Sequence, residues 1–490
     1  MMHTTTTTTK MKELTTKQEI ESWSKDRIWS QSGNNQSDQV SSGAQRVYFP
    51  KSTEEVSRVV KALPADTPIA VVGGGCESAN LAVSANKDAV VLDVGGMDWV
   101  EVDSEKNEVT VGAGTRLQAL AHAVRDAGGA LPIGTGGVVG CIGYTVNGGI
   151  SGYFSRRLGL LGQRVMRLTL VTRDGAIRQL TDASAEEDQQ LFQCVLGGGS
   201  ALGIVTSMTY SMASETIFQA GGQFIVNCND PAGQQDFMKV ALTFMKEKVL
   251  GRGELDDSVS MEVVATPDSM LICTFIFFDT FEGVSRRDFL EELRSAAETA
   301  NHTVVVDNVT QWSSWFEAAS CLWPVIASMK GSPLAMLQHC CGTVGAPTKG
   351  DIEFVSNVWL GKSPLEQAKQ SIIEVRTLGG AILRGRSIPT GNARHQFFAD
   401  MIIAYDAGTC TRKDAETIAS QVNTVVQKAA LNPGLIVDFS GTHSQPDDAA
   451  HVTTGETIFG GAELYERVKA TKAILDTQNS FRFHPFHKFL

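Results

Sequence analysis

Four glycine-rich loops follow one another between short apolar runs in the first half of the chain. They span residues 73–75, 112–114, 134–152 and 197–203. Consecutive backbone N–H groups in such loops form concave sites for anions, and glycine lets the main chain approach a phosphate without a Cβ clash. One such loop would be an ordinary turn. Four of them, each flanked by strand-like segments, predict an extended phosphate-bearing ligand such as a dinucleotide.

The first loop does not follow the common nucleotide motifs. A Rossmann fingerprint needs G-x-G-x-x-G between a strand and a helix. Gly73 and Gly75 begin that pattern, but Ser78 stands where the third glycine belongs. Asp93 lies at a suitable distance for the acidic residue, yet the segment after the loop has no clear helical pattern. The chain also has no G-x-x-x-x-G-K-[ST] loop, so Rossmann NAD binding is the weaker interpretation.

Length and charge restrict the class of protein. A chain of 490 residues is long enough for two domains. A net charge of −12 argues against a nucleic-acid partner. No apolar run reaches the roughly 18 residues of a membrane span, and the N-terminus lacks the apolar core of a secretory signal. The nine cysteines form no C-x-x-C pair and suit a reducing compartment. We therefore expect a cytoplasmic protein with no membrane partner; the sequence leaves its oligomeric state open.

The pattern of predicted elements changes along the chain. Residues 1–40 are polar and predict a disordered or loosely packed arm. Ser52 and Glu55 then predict the start of a helix. From about residue 213, strands such as "SMEVVAT" and "MLICTFIFF" alternate with helices such as "SRRDFLEELRSAAETA". This alternation predicts an α+β region, with a mainly antiparallel sheet and helices on one face.

A family resemblance follows from the order of these motifs. The segments that carry it are "PKSTEEVSRVVKAL", "VVGGGCES", "VVLDVGGM", "VTVGAGTRLQAL", "VVGCIGYTVNGGISGYFSRRLGL", "VLGGGSALGIVTSMTY" and "ELYERVKATKAILDTQNSFRFHPF". Together they resemble the FAD-binding domain of the vanillyl-alcohol-oxidase flavoproteins, and especially the berberine-bridge-enzyme-like and 6-hydroxynicotine-oxidase-like oxidases. The resemblance implies an α+β chain with a two-part PCMH-type FAD-binding domain, residues 41–212 and 455–490. Residues 213–454 would form an antiparallel-sheet substrate-binding domain.

The resemblance also implies which residues contact FAD, with the flavin ring facing the second domain. The implied cofactor-binding residues are Val72, Gly73, Gly74, Gly75, Cys76, Glu77, Ser78, Gly140, Cys141, Gly143, Tyr144, Asn147, Gly148, Gly149, Ile150, Gly198, Gly203, Ile204 and Val205. The residues within 72–78 and 140–150 would hold the pyrophosphate and the ribityl chain of FAD. The last four residues, from Gly198 to Val205, would line its adenine and ribose end.

Cysteines occupy the two positions at which members of this family tether the flavin. Cys76 stands where a histidine usually bonds the flavin 8α carbon, and Cys141 stands where some members carry a second tether. A thiolate is a competent nucleophile, so a cysteinyl link through either residue stays open. The expectation is nevertheless a non-covalent FAD. No metal is expected, because the adjacent Cys340 and Cys341 after His339 would chelate a single ion poorly.

The catalytic base is not at a position that the resemblance identifies. The polar residues available in the two matching stretches are Arg386, His395, Tyr405, Asp438 and His443. Of these, Asp438 and His443 are the preferred catalytic candidates. Tyr144 and Tyr153 flank the third glycine loop and are alternatives that face the ring, whereas His484 and His487 are expected at the surface.

These features predict an FAD-dependent oxidoreductase acting on a small organic, secondary-metabolite-like substrate. Hydride would pass to flavin N5, and O2 would be the electron acceptor, giving H2O2. The alternative is a non-redox cyclase or binding scaffold that retains FAD structurally, which the missing histidine and base would suit. A hydrolase is the weakest idea, because the chain has no G-x-S-x-G motif.

Overall fold

The computed structural model describes residues 11–27, 43–76, 88–328, 334–343, 345–360, 371–406, 455–484 and 490. The α-helices are α1 Lys17–Arg27, α2 Thr53–Ala62, α3 Leu117–Asp126, α4 Cys141–Val146, α5 Ser155–Leu158, α6 Glu186–Gly198, α7 Pro231–Phe244, α8 Arg286–Phe289, α9 Glu291–Thr299, α10 Trp315–Ser320, α11 Trp323–Ser328, α12 Lys349–Phe354, α13 Ala381–Arg384, α14 Gly455–Ile458 and α15 Ala462–Leu475. The strands are β1 Glu13–Leu14, β2 Arg46–Tyr48, β3 Ile69–Val72, β4 Val90–Asp93, β5 Val100–Asp103, β6 Glu108–Gly112, β7 Gly129–Ala130, β8 Val165–Val171, β9 Ile177–Thr181, β10 Ile204–Ser211, β11 Ala213–Ser214, β12 Phe218–Asn227, β13 Val259–Ala265, β14 Met270–Phe278, β15 Thr303–Trp312, β16 Leu334–Thr343, β17 Ile372–Thr377 and β18 Phe397–Asp406.

Among the described residues, two sheets and the short antiparallel pair β7–β11 form the glycine-rich half of the molecule. In the described residues the first has the strand order β1-β2-β4-β3, with β2, β4 and β3 parallel. The second is antiparallel, in the order β5-β6-β10-β8-β9. Helix α2 begins as the sequence predicts, because the Ser52 side chain accepts a hydrogen bond from the Glu55 N–H at 3.3 Å. Its buried stripe of Val56, Val59 and Val60 joins the core between the sheets.

A third, larger antiparallel sheet fills the other half. Its strand order among the described residues is β15-β12-β14-β13-β17-β18-β16, and we refer to it as the large sheet. Side chains alternate between its two faces, as strand geometry requires. Phe275 and Phe277 of β14 pack with α7 and α9 in one core, whereas Ile276 and Phe278 join the core of the glycine-rich half. The large sheet therefore carries helices on one face and meets the glycine loops with the other.

A buried arginine links the two halves. Arg156 of α5 is 1% exposed, and its guanidinium donates to the carbonyl oxygens of Val259 at 3.0 Å, Asp256 at 2.6 Å and Leu378. Burial lowers the pKa of this guanidinium to about 10, which leaves it charged at neutral pH. Because its donors satisfy main-chain acceptors of the second half, Arg156 fixes α5 against the large sheet.

The described N-terminal residues form regular secondary structure, whereas the sequence predicts a disordered or loosely packed arm over residues 1–40. Residues 11–27, which are the described part of that arm, form strand β1 and helix α1. Ile20 and Trp23 of α1 are buried at 2% and 9% exposure. They pack with Val47, Val72 and other strand residues of the parallel sheet, so the helix is part of the fold. Across the described residues, we find no helix with both the length and the apolar character that a bilayer crossing requires.

Candidate functional site

The first and third glycine loops meet back to back. The first follows β3, where four apolar residues form a buried strand that ends at Val72. A Cβ atom placed on Gly74 would lie 2.5 Å from the Gly140 nitrogen and 2.7 Å from its Cα. The Cys76 thiol then donates to the carbonyl oxygen of Val138 at 3.2 Å. We call the joined segments 72–76 and 138–150 the glycine cradle; only glycine allows their backbones to come this close.

The second glycine loop supports the cradle from the side. Gly114 packs against Gly95, whose carbonyl oxygen would lie 2.5 Å from a Cβ atom at position 114. Arg116 follows this loop, and its Nη2 donates to the carbonyl oxygen of Gly74 at 3.3 Å. The Cys141 N–H donates to the carbonyl oxygen of Thr115 at 2.9 Å. Three of the four loops are therefore linked through main-chain contacts.

Side chains within the third loop fix its own conformation. The Tyr144 hydroxyl donates to the carbonyl oxygen of Ile150, and burial raises the pKa of this phenol well above its usual range. The Asn147 amide donates to the carbonyl oxygen of Gly143 at 2.7 Å. Gly149 has a φ of +71°, a conformation that residues with a side chain rarely adopt. The Tyr144 proton is thus directed to the Ile150 carbonyl oxygen, and the catalytic role of this residue stays a prediction.

The fourth glycine loop packs closely against side chains of neighbouring helices. Val146 of α4 fills the space beside Gly199, and Val468 of α15 would lie 2.7 Å from a Cβ atom on Gly198. A Cβ atom on Gly203 would lie 2.7 Å from the carbonyl oxygen of Val171. Ile204 and Val205 begin β10 as buried strand residues. Contact of Gly198, Gly203, Ile204 and Val205 with a cofactor stays a prediction.

The cradle fits a ligand with an extended phosphate chain. A Cβ atom on Gly143 would meet no atom within 4 Å, although this residue lies in the middle of α4. Gly75 and Gly148 both have positive φ, at +73° and +100°. Left-handed backbone at such positions lets neighbouring N–H groups turn toward a common anion. The residues 72–76 and 138–150 would therefore hold a pyrophosphate through their main chain.

Opposite the cradle, the large sheet buries an unusual group of charges. Arg376 of β17 contacts three carboxylates: Glu262 at 2.6 Å, Asp400 at 2.7 Å and Glu374. Their side chains are 7%, 1% and 11% exposed, respectively. Strand register explains the grouping, since Glu262 pairs with Arg376 and Glu374 pairs with Asp400 across neighbouring strands. We call these four residues the carboxylate cluster; it carries more negative than positive groups.

The cluster touches the glycine loops at one point. A Cβ atom on Gly152 would lie 2.7 Å from Arg376 Cδ and from Glu262 Oε1. The neighbouring Tyr153 accepts a hydrogen bond from the Cys321 thiol at 3.9 Å and stacks on Trp312 with ring centroids 6.1 Å apart. Burial raises the pKa of Glu262, although Arg376 acts in the opposite direction, and burial also raises the pKa of Tyr153. Glu262 and Tyr153 are thus two buried titratable groups near the place where the two halves meet.

The other acid–base candidates lie elsewhere. Arg386 donates to the Val165 carbonyl oxygen at 2.8 Å and pairs with Asp182 at 2.9 Å. His484 is buried at 1% exposure, whereas the sequence suggested a surface position. The remaining candidates are outside what the structure describes. Glu77, Ser78, Asp438, His443 and His487 lie outside the described residues, and Tyr405 lies on β18 without a described side chain.

His395 lies fully buried two residues before β18. Its ring is 0% exposed and stacks on Phe398 with centroids 6.2 Å apart. Neither ring nitrogen has a hydrogen-bond partner within the described part of the chain. Burial lowers the pKa of His395 from 6.5 to about 4, so the imidazole is neutral at pH 7.

This burial predicts a dependence of stability on pH. In the unfolded chain, His395 becomes protonated as the pH falls below 6.5. In the folded chain, His395 becomes protonated only near pH 4. Stability is therefore present above pH 6.5 and is lost as the pH falls through that window, by about 3 kcal/mol in total. Urea unfolding between pH 7 and pH 4 measures it. His395→Leu should reduce the change in the free energy of unfolding between pH 7 and pH 4. His302→Gln, which replaces a partly exposed histidine, should leave that change as it is in the parent. The same change in all three proteins would contradict the assigned role of His395.

Sequence reasoning missed the carboxylate cluster and the arginines around the cradle. The signal was present: Glu262 and Arg376 are charged residues inside the apolar runs "SMEVVAT" and "IIEVR", and Asp400 lies in "FFADMII". Single charges in buried strands need partners. Which strands become neighbours is set by the topology of the large sheet, so the pairing could not be read along the chain.

Comparison with protein families supports the cofactor. A family described as FAD binding domain matches residues 44–181, which include the first three glycine loops. FAD-linked oxidoreductase tazG of Aspergillus terreus is 33% identical over 168 residues, 34% of this chain and 33% of the relative. FAD-linked oxidoreductase sorD of Penicillium rubens is 28% identical over 228 residues, 46% of each chain. The chain thus matches a third to a half of the length of these curated relatives. The expected FAD-binding domain is confirmed.

Solved structures extend the likeness to the whole fold. The 6-hydroxy-D-nicotine oxidase of Arthrobacter nicotinovorans superposes with a TM-score of 0.72 at 16% identity, covering 100% of both chains. Berberine bridge enzyme from Eschscholzia californica gives 0.71 at 18% identity, covering 97% of this chain and 96% of that one. The xylooligosaccharide oxidase of Myceliophthora thermophila gives 0.71 at 16% identity, covering 94% and 93%. The expected fold class and resemblance are confirmed.

Proposed function

We propose that this chain, whose residues 44–181 match the FAD binding domain family, is an FAD-dependent oxidoreductase acting on a small organic molecule. The observation that carries the proposal is the glycine cradle, which lies within that domain and opposite the charged face of the large sheet. Residues 72–76 and 138–150 would hold the cofactor. Bound FAD would supply an acceptor for hydride at N5 and pass two electrons with two protons to O2, giving H2O2.

Substrate binding and proton transfer would fall to the large sheet. One core consists only of residues from 213–454, and this supports a division into a cofactor unit, residues 41–212 and 455–490, and a substrate unit, residues 213–454. The other core contains residues of both units. Tyr153 and Glu262 lie where these units meet, and Glu262 has a pKa raised by burial. A carboxyl group of raised pKa is suited to proton exchange near neutral pH. We therefore propose Glu262 as the group that takes the substrate proton. Asp438 and His443 stay predictions.

Non-covalent FAD is the form that the two cysteines favour. The Cys76 thiol donates to the carbonyl oxygens of Val138 at 3.2 Å and Gly74 at 3.7 Å, and carbonyl oxygens stabilise the protonated thiol rather than the thiolate. Burial raises the pKa of the Cys141 thiol far above its usual range. A covalent link needs a thiolate nucleophile, and burial of Cys141 disfavours the thiolate there.

This argument predicts the outcome of acid precipitation. After trichloroacetic acid treatment of the purified yellow protein, the flavin should remain in the supernatant, because no bond holds it to the chain. Absorbance of the pellet and the supernatant at the flavin bands measures the distribution. Cys76→Ser should give the same distribution as the parent. A yellow pellet that becomes colourless in Cys76→Ser or in Cys141→Ser would identify a cysteinyl tether instead.

Reduction without oxygen tests the redox proposal. We expect the bound flavin to bleach on anaerobic photoreduction and to recover its colour within seconds of mixing with air. Slow recovery would make the protein a dehydrogenase rather than an oxidase. The non-redox alternative predicts that a substrate is consumed under nitrogen without bleaching. The curated relatives tazG and sorD are both named FAD-linked oxidoreductases, which weighs against that alternative.

A further inference from the structure

The C-terminal end of helix α1 lies against the glycine cradle. Trp23 Nε1 donates to Asp93 Oδ2 at 2.8 Å, and Arg27 Nε donates to the same oxygen at 2.8 Å. Arg27 Nη2 reaches Asp93 Oδ1 at 3.1 Å. Asp93 ends β4 beside Val72, which ends β3 in the paired register. One buried carboxylate therefore fixes the end of α1 at the point where the first glycine loop begins.

The Arg27 guanidinium then continues into the loop itself. Nη1 donates to the carbonyl oxygen of Gly74 at 3.3 Å, and Nη2 donates to that of Gly73. Arg116 donates to the Gly74 carbonyl oxygen as well, also at 3.3 Å. The Arg27 side chain is 17% exposed, so the contact is largely shielded from water.

The fit between helix and loop requires glycine on the loop side. A Cβ atom on Gly75 would collide with the Arg27 carbonyl oxygen, and one on Gly95 would collide with the Arg27 guanidinium. Gly75 also has a φ of +73°. The first glycine loop therefore packs closely against two segments. Gly74 packs against the third glycine loop, and Gly75 packs against the end of α1.

Hydrogen bonding to these carbonyl groups determines where the N–H groups of the loop point. In a trans peptide the C=O and N–H bonds have opposite directions. With the carbonyl oxygens of Gly73 and Gly74 turned toward Arg27, the N–H groups of Gly74 and Gly75 are turned away from it. That is the orientation an anion-binding loop needs, and the guanidinium charges of Arg27 and Arg116 lie behind it.

We propose that Arg27 is a positioning residue of the cofactor site, and that helix α1 is therefore part of that site. Arg27 holds the first glycine loop with its N–H groups facing the pyrophosphate. The proposal rests on FAD being the ligand of the cradle, as proposed above. It assigns a cofactor role to a segment outside residues 44–181.

The test compares ligands with and without the pyrophosphate. Dissociation constants of FAD and of riboflavin are measured by fluorescence titration of the flavin-free protein. We expect Arg27→Ala to weaken FAD binding by about tenfold or more, the size of effect that a lost charged hydrogen bond produces, while riboflavin binding changes less than about twofold. Lys25→Ala is the matched control, because it removes the same charge from the exposed face of α1. It should leave both constants within about twofold.

Conservative variants separate positioning from general stability. Arg27→Lys keeps the charge but not the planar fork and should bind FAD with an intermediate constant. If Arg27→Ala does not fold, Arg27→Lys and Arg27→Gln still give the ratio of FAD to riboflavin affinity. An unchanged ratio in these variants, or equal weakening of both ligands, would overturn the proposal. Failure of the parent protein to bind FAD is a different result, since it would remove the proposed function itself.

Discussion

Replacing Gly74 by alanine is expected to abolish FAD retention and to lower the free energy of unfolding by about 2 kcal/mol, within the usual range for overpacking. The new Cβ atom would lie 2.5 Å from the Gly140 nitrogen and 2.7 Å from its Cα. Both are backbone atoms, so no rotamer change can relieve the overlap, and the two loops of the cradle must separate. Guanidinium unfolding of the flavin-free variant measures stability, and absorbance after gel filtration measures bound FAD.

Gly350→Ala is the control for this prediction. Gly350 lies in α12, where an added Cβ atom would come no closer than 3.6 Å to the Thr348 hydroxyl oxygen. Alanine there should raise stability by up to about 1 kcal/mol through helix propensity and leave FAD content unchanged. If Gly74→Ala kept both its FAD and its stability, close approach of the two loops would not be what forms the site.

Arg376→Leu is expected to destabilise the protein by about 3–5 kcal/mol at pH 7.5, the usual cost of leaving buried charges without their partner. Glu262, Glu374 and Asp400 would then face one another inside the large sheet. The loss should shrink as the pH falls, because protonation of these carboxylates removes their repulsion. Urea unfolding at pH 7.5 and pH 5 measures both the loss and its pH dependence.

Two further variants show whether charge is the cause. Adding Glu262→Gln to Arg376→Leu removes one buried negative charge and should recover part of the stability. Arg167→Leu breaks a pair with Glu108 whose arginine is 48% exposed, and should cost less than about 1 kcal/mol. A pH-independent loss in Arg376→Leu, with no recovery in the double variant, would mean that packing and not charge holds the cluster together.

Local sequence signals predicted the cofactor-binding half well. The Ser52 cap and the valine stripe of α2 follow from side-chain chemistry within one helix. The glycines at 73–75 and 140 pointed to backbone approach, and Gly74 and Gly140 do pack against each other. Such signals can be read because each depends on residues near in sequence or on a conformation that only glycine adopts.

The features that the sequence did not reveal depend on contacts between distant segments. Arg376 and Glu262 are 114 positions apart and meet only because β13 and β17 are neighbours in the large sheet. Arg27 lies in a polar segment with a weak helical pattern, and its burial depends on Asp93, 66 positions away. The direction of the Tyr144 hydroxyl likewise depends on the turn that brings the Ile150 carbonyl oxygen to it.

The visible spectrum of the purified protein is the decisive measurement for the proposed cofactor. The chain should be purified without added flavin, incubated with FAD, passed through a desalting column and scanned. We predict the two absorption bands of oxidised flavin, with about one FAD per chain, and their loss in Gly74→Ala. A colourless parent protein that takes up no FAD would show that the glycine cradle serves another ligand.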